Sequence, residues 1–348
     1  MALKVPLLRS LLILFLCCHL NMNHCMAQDI QYSQFYANVL YLNPAFAGNA
    51  HALRGIYHQR IQWPALNAKY ITSHFSIDNY FNKANSGIGF MVYKDWQGAN
   101  TIASTEAAFQ YAYELHLTPK HSFRAGLQGS YVSRYIDYSG LYFPDQYDSY
   151  GYLGKHTSQP TQNDQIHYLD FSSGGIFYSD HYWFGVTYAH MNRPNQSFYG
   201  ESSRLPYKLD MIAGYRIDIE SRNESKEANQ GRDIYITPTV HYKLQGKSDQ
   251  IDLGVYALYD HLITGIWYRG IPLLKYYRWQ LQNNESMVML VGWRVKGLSI
   301  SYSFDCTVSK LARAHTGGSH ELNITYLYDL TKKRKKVMKR IPCPHFYQ

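Results

Sequence analysis

The chain has 348 residues and a formal net charge of +9 at pH 7, and no window beyond its N-terminus is apolar enough for a membrane helix. Its hydrophobic fraction is 46% at a mean hydropathy of −0.37, and 34 tyrosines outnumber 15 phenylalanines and 6 tryptophans, which suits interfacial girdles better than a dry aliphatic core. Lys4 and Arg9 together with Lys332, Lys333, Arg334, Lys335, Lys336, Lys339 and Arg340 account for the whole net charge, so the body between is neutral and offers no basic face for nucleic acid.

At the N-terminus, Lys4 and Arg9 precede the apolar run Leu11 to Cys18, and Cys25 and Ala27 stand three and one places before a cut. Residues 1–27 therefore read as a signal peptide. A lipoprotein alternative fits less well, since neither Phe15-Leu16-Cys17 nor Met22-Asn23-His24-Cys25 makes a lipobox. Residues 28–50 carry no sustained alternation and read as an ordered N-terminal segment: either a plug or brace inside a barrel, or a periplasmic leader.

From residue 51 to 330 the chain alternates. Fourteen segments are predicted, within a range of twelve to sixteen, at about 51–60, 67–78, 86–95, 101–116, 121–134, 167–178, 181–191, 207–220, 233–245, 249–259, 262–270, 286–296, 298–306 and 320–330. The run from Tyr207 to Glu220 shows the pattern: Tyr207, Leu209, Met211, Ala213, Tyr215, Ile217 and Ile219 alternate with Lys208, Asp210, Ile212, Gly214, Arg216, Asp218 and Glu220. A strand sends successive side chains to opposite faces, so this period of two makes a ribbon with one apolar and one polar side. Such runs also cover the roughly ten tilted residues that cross a bilayer. The fold class is thus all-β, a transmembrane antiparallel β-barrel of about 14 strands, with the 28–50 segment either folded into its lumen or left outside it as a leader. Tyr207, Met211 and Tyr215 should face lipid, and Asp210, Arg216 and Asp218 the lumen.

Connection lengths supply a second test, because outer-membrane barrels have short periplasmic turns and long outer loops. The even connections include Leu117 to Lys120, Ser179-Asp180, Asp260-His261 and Lys296-Gly297, with Ser221 to Arg232 as the exception. The odd ones include Tyr135 to Ile166, Asn192 to Pro206, Ile271 to Glu285 and Thr307 to Ser319. An even strand count then sets both termini in the periplasm, where residues 331–348 form a basic tail. That tail is either a solvated end or a contact for an acidic partner. Of five cysteines, three fall in the signal; Cys306 sits in a strand pattern and Cys343 in the tail, and they read better as separate thiols than as a disulfide.

The two ends of the body carry a resemblance. Gln31-Tyr32-Ser33-Gln34-Phe35-Tyr36 with Asn43-Pro44-Ala45-Phe46-Ala47-Gly48, then Ser309-Lys310-Leu311, Thr316-Gly317-Gly318-Ser319-His320-Glu321-Leu322 and Cys343-Pro344 before Phe346, resemble the PorP/SprF family of type IX secretion proteins of Bacteroidetes. The motif residues are Asn43, Pro44, Gly48, Gly317, Gly318, Ser319, His320 and Glu321. His345 stands where the pattern has a basic residue, and the lysine run before Cys343 is denser than the pattern. The resemblance implies an outer-membrane component of the type IX secretion and gliding machinery that helps particular cargo, such as large adhesins, reach or stay on the surface. The partners it implies are that secreted surface protein and periplasmic or other type IX components, besides outer-membrane lipid.

Catalysis, cofactors and metals find no support. Ser319-His320-Glu321 has the residue types of a relay, yet neighbours on a strand point to opposite faces; Gly317-Gly318 instead turn the chain into the last strand with Glu321 facing the lumen. The 16 histidines and the inward charges Glu106, Glu114, Arg124, Asp210 and Arg216 read as an ordinary polar lumen. Candidate cargo contacts are the aromatic and cationic residues of the long connections: Tyr142, Phe143, Tyr147, Arg193, Phe198, Tyr276, Arg278 and Trp279. The tail residues Lys332, Lys333, Arg334, Lys335 and Lys336 are the candidate periplasmic contact. The competing reading is a porin or a hydrophobic-solute transporter.

Overall fold

The structure is a computed structural model describing residues 29–98, 101–139, 141–154, 156–158, 163–220, 233–278, 281–308 and 315–328. Its barrel strands are β1 (Leu53–Gln62), β2 (Tyr70–Phe81), β3 (Ser86–Gln97), β4 (Ile102–His116), β5 (Ser122–Ile136), β6 (Gln165–Tyr178) and β7 (Tyr182–Ala189). There follow β8 (Lys208–Tyr215, continued by Ile217–Glu220), β9 (Ile234–Gln245), β10 (Ser248–Tyr259), β11 (Leu262–Arg278), β12 (Leu281–Val295), β13 (Leu298–Thr307) and β14 (Ser319–Tyr328). Each pairs antiparallel with the next, and β1 pairs with β14 from Leu53↔Tyr328 to Gln62↔Ser319, so the sheet closes on itself with 14 strands.

The side-chain alternation has the phase read from the sequence. On β4, Phe109, Tyr111, Tyr113 and Leu115 are exposed on the outer wall, while Gln110, Ala112 and Glu114 are buried inside. On β8, Met211 and Tyr215 point outward, as does Tyr207 just before it; Lys208 and Asp210 point inward, tied to each other at 3.5 Å. Arginine at Met211 places a charge on the lipid-facing wall. Met211→Arg is expected to cost about 2 to 4 kcal/mol if the site lies near mid-bilayer, measurable as a lowered urea midpoint in lipid vesicles.

Two differences from the expected elements have local causes. β8 is interrupted at Arg216, because Pro238 of β9 lies opposite Tyr215 and has no N–H to donate; pairing ends at Gly214↔Thr239 and resumes at Ile217↔Ile236. A recess of about 780 Å³ outside this gap is lined chiefly by apolar wall residues, among them Ala213, Pro238, Val240, Leu253 and Met287. Second, Ile271 to Glu285 is not a loop. β11 runs on to Arg278 and β12 begins at Leu281, the two paired with register shifts between Arg269 and Gly270 and again around Tyr276. Gly270, at φ 142°, and Pro272 break the alternation, which ends the segment in a pattern reading; in the sheet these breaks are absorbed as bulges. Tyr276 and Arg278 are therefore strand residues, and Trp279 lies outside the described residues.

Three longer connections remain on one rim, 137–164, 190–207 and 308–318, joined there by 63–69. The opposite rim carries the short turns 82–85, 117–121, 179–181, 260–261 and 296–297, together with 221–233, which is mostly outside the described residues. The N-terminal segment fills the lumen as a plug. Asp29 lies at the long-connection rim, bonded to Gln245 at the end of β9, and the chain then descends through the barrel to enter β1 at the other rim. The even strand count keeps the start of β1 and the end of β14 together; threading sets Asp29 at the opposite mouth.

Candidate functional site

The plug is held by chemistry along its whole length. Near the long-connection rim, the Ser33 and Gln34 N–H groups donate to the two oxygens of Glu321, at 2.7 and 2.8 Å. Arg60 bridges to the same carboxylate, and His58 Nε2 lies 3.3 Å from it. Arg60 Nη1 and Arg269 Nη2 both donate to Ser33 Oγ, at 2.8 and 3.0 Å, and Trp267 Nε1 donates to the Ser33 carbonyl at 3.0 Å. Gln34 Nε2 donates to Ser303 Oγ at 3.1 Å while its Oε1 accepts from Ser301 at 2.7 Å. The sequence motifs at the two ends of the chain thus meet as donor and acceptor inside the barrel.

Lower down, the chain forms a short helical turn, Val39–Leu42, and a 3₁₀ turn, Pro44–Phe46. Asn43 caps the second by accepting from Ala45 N–H at 2.8 Å and donates to the Val186 carbonyl at 3.0 Å; Pro44 occupies the first position, where a missing N–H costs nothing. Close approach to the wall needs glycine. A methyl group on Gly87, Gly126 or Gly174 would overlap Ala47, Ala45 or Asn43. Gly48, at φ 74°, turns the chain away and donates its N–H to Asp78 at 2.7 Å, a carboxylate also gripped by both Arg54 Nε and Nη2 at 2.7 and 2.8 Å. Arg124 donates to the Ala45 and Ala47 carbonyls and pairs with Glu114 at 2.9 Å.

Alternation alone predicts an ordinary polar lumen, but part of the lumen is apolar. Ile176, Trp183, Ile212, Tyr256, Trp267 and Val288 point inward and pack on Phe35, Tyr36, Val39 and Phe46, forming an apolar core between the plug and one side of the wall. Tyr36 meets Tyr256 at 4.1 Å between ring centres, edge to face. The available signal was the occurrence of large apolar residues in the polar phase of a strand, as at Ile212 within 207–220.

At the upper mouth, Asp29 closes the plug. It pairs with His190 at 2.8 Å and Lys208 at 3.5 Å, while His190 Nδ1 reaches Asp170 at 2.8 Å. Burial opposes charge on this imidazole, but the two carboxylates outweigh it and raise its pKa to about 10. A raised histidine pKa contributes stability that is fully present below its ordinary pKa and lost as pH rises toward 10, so this latch stays closed at neutral pH.

The predicted contact residues separate in the structure. Tyr142, Tyr147 and Tyr152 stand together on the 137–164 connection, with ring centres 5.3 to 6.2 Å apart, and all three are exposed; a two-residue ladder, Tyr147–Asp148 with Gly151–Tyr152, supports them. Phe143 is partly covered and Arg193, exposed, stacks on Tyr207 at 4.8 Å. Phe198 is buried beneath Arg134, so it braces the loop from within and presents no contact surface. Ser319 and Glu321 face the lumen whereas His320 faces outward to Tyr302 Oη at 2.7 Å, so the three do not form a relay. Gly317 and Gly318, at φ 78° and 72°, make the turn into β14. Cys306 is exposed on the outer wall; Lys332 to Lys336 and Cys343 lie outside the described residues.

A family model described as type IX secretion system membrane protein PorP/SprF matches residues 25–326. No curated protein matches the chain by sequence. Among solved structures, the toluene transporter TbuX of Ralstonia pickettii is 10% identical, with a TM-score of 0.47, covering 84% of this chain and 93% of its own. The outer membrane protein Omp33 of Acinetobacter baumannii is 8% identical at a TM-score of 0.44, covering 80% of this chain and 98% of its own.

Proposed function

Because the chain belongs to the PorP/SprF family of type IX secretion system membrane proteins, we propose that it acts as a non-enzymatic anchor or assembly factor that holds particular secreted cargo, such as a large adhesin, at the long-connection rim. The observation that carries this reading is a lumen filled by a bonded plug beneath a rim with an exposed tyrosine trio. A filled lumen argues against bulk diffusion, and clustered tyrosines give contact area at low entropic cost. In this reading the rim faces the cell exterior, and the basic tail from residue 331 meets a partner in the periplasm. Gliding enters the reading only through the cargo carried.

The test is genetic. Deleting the gene should deplete one or a few proteins from the cell surface while general secretion continues. Trimming 137–164 to a short turn should give the same depletion with the barrel still in the membrane, as judged by surface proteomics and membrane fractionation. If every surface protein stayed in place and uptake of a small solute slowed, transport would replace anchoring.

A further inference from the structure

Between the top of the plug and the long-connection rim lies a chamber of about 410 Å³, at the lower end of the size range of ligand pockets. Asp29, Ile30 and Gln31 of the plug form its floor, and Trp63, Tyr70, Tyr93 and Tyr168 are among its walls. Trp63 and Tyr70 stand edge to face at 5.6 Å.

Two buried carboxylates point into the chamber from adjacent strands. Asp95 of β3 pairs in register with Ser104 of β4, and Glu106 lies two residues farther along β4, a diagonal neighbour. Asp95 accepts from Thr72 Oγ1 at 2.6 Å and Gln97 Nε2 at 2.7 Å; Glu106 accepts from Tyr93 Oη at 2.6 Å and Gln128 Nε2 at 3.3 Å. All these donors are neutral. Among the described residues neither carboxylate forms an ion pair, since Arg60 is committed to Glu321 and Asp305, Arg134 donates to Gln196, and His190 is shared by Asp29 and Asp170. A third group adds a separate observation. Asp170, 2% exposed on the same chamber, spends Oδ2 on His190 and leaves Oδ1 without a hydrogen-bond partner.

Arg60, Arg134 and His190 also line the chamber but bond elsewhere, so Asp95 and Glu106 lack a bonded counter-charge, and a cation entering between them would offset part of the cost of their burial. Aromatic faces add to the attraction. We infer that this chamber receives a primary ammonium or guanidinium group, carried on a lysine or arginine side chain of the protein held at the rim. The inference rests on the anchoring reading for the source of that side chain; the chamber's preference for a cation stands on its own geometry.

The experiment uses the protein purified from the membrane after removal of the signal peptide with its three cysteines, in detergent or vesicles, with Cys306→Ser and Cys343→Ser removing the other thiols and Ser104→Cys reporting from the chamber wall. A cationic methanethiosulfonate should label position 104 at least about tenfold faster than an anionic one of similar size, as expected in a cleft that concentrates one sign of charge. The peptide N-acetyl-Gly-Lys-Gly amide, whose only cation is the lysine side chain, should slow labelling, whereas the same peptide with norleucine for lysine should not. Asp95→Asn with Glu106→Gln keeps the shapes and should abolish both effects; each single variant should lose part of them if the double variant does not fold. Equal rates for the two reagents, or equal protection by both peptides, would overturn the assignment. If rates are equal yet trimming 137–164 still strips cargo, the chamber inference fails alone; if charge selectivity and lysine protection hold but cargo stays in place, only the anchoring source fails.

Discussion

Removing the carboxylate of Glu321 is expected to produce the largest loss of stability of any single substitution in the lumen. Glu321→Ala leaves Arg60 in a buried site with Asp305, already shared with Arg269, as its one carboxylate partner, and frees the Ser33 and Gln34 N–H groups that the carboxylate had satisfied. Breaking a buried ion pair from one side costs about 3 to 5 kcal/mol, because the surviving charge is stranded. The check is urea unfolding in vesicles, followed by the gel-mobility difference between heated and unheated barrel. Glu321→Gln keeps an acceptor for one N–H and should lie between; a Glu321→Ala protein as stable as the parent would show that the motif at β14 does not hold the plug.

The second large effect concerns ion flow. Purified protein in planar bilayers is expected to carry no steady current, because the plug occupies the lumen from Asp29 down to Ala52 and is bonded to the wall at both levels. Deleting residues 29–50 should turn the silent barrel into an open one. A gentler version, Gly126→Leu, forces a side chain into the space of Pro44 and Ala45 and should give intermittent openings. Steady conductance from the intact chain, unchanged by either alteration, would return the porin reading to first place.

These outcomes depend on parts of the molecule that were legible to different degrees. The strand number and the facing of each wall residue come straight from a period of two, as in Phe109 to Leu115 and Tyr207 to Ile219. Strand ends were less legible where glycine and proline interrupt the pattern, as at Gly270 and Pro272, since bulges carry the ladder past them. Of the rim residues, Tyr142 and Tyr147 were readable as exposed aromatics of a long connection, whereas Phe198 looks the same in sequence and turns inward beneath Arg134.

By itself the sequence determined a closed barrel with one apolar face, an asymmetric pair of rims and a family motif at each end. Those are properties of neighbours along the chain, set by alternation and by where alternation stops. Only the tertiary structure decided that the N-terminal segment runs through the lumen, that Ser33 meets Glu321 across 288 residues of chain, and that Asp95 and Glu106 overlook a chamber floored by the plug. The physical reason is that residues 29–52 follow no repeating pattern: their conformation is set by the wall they pack against, through glycines that admit the backbone and buried charges that bind it.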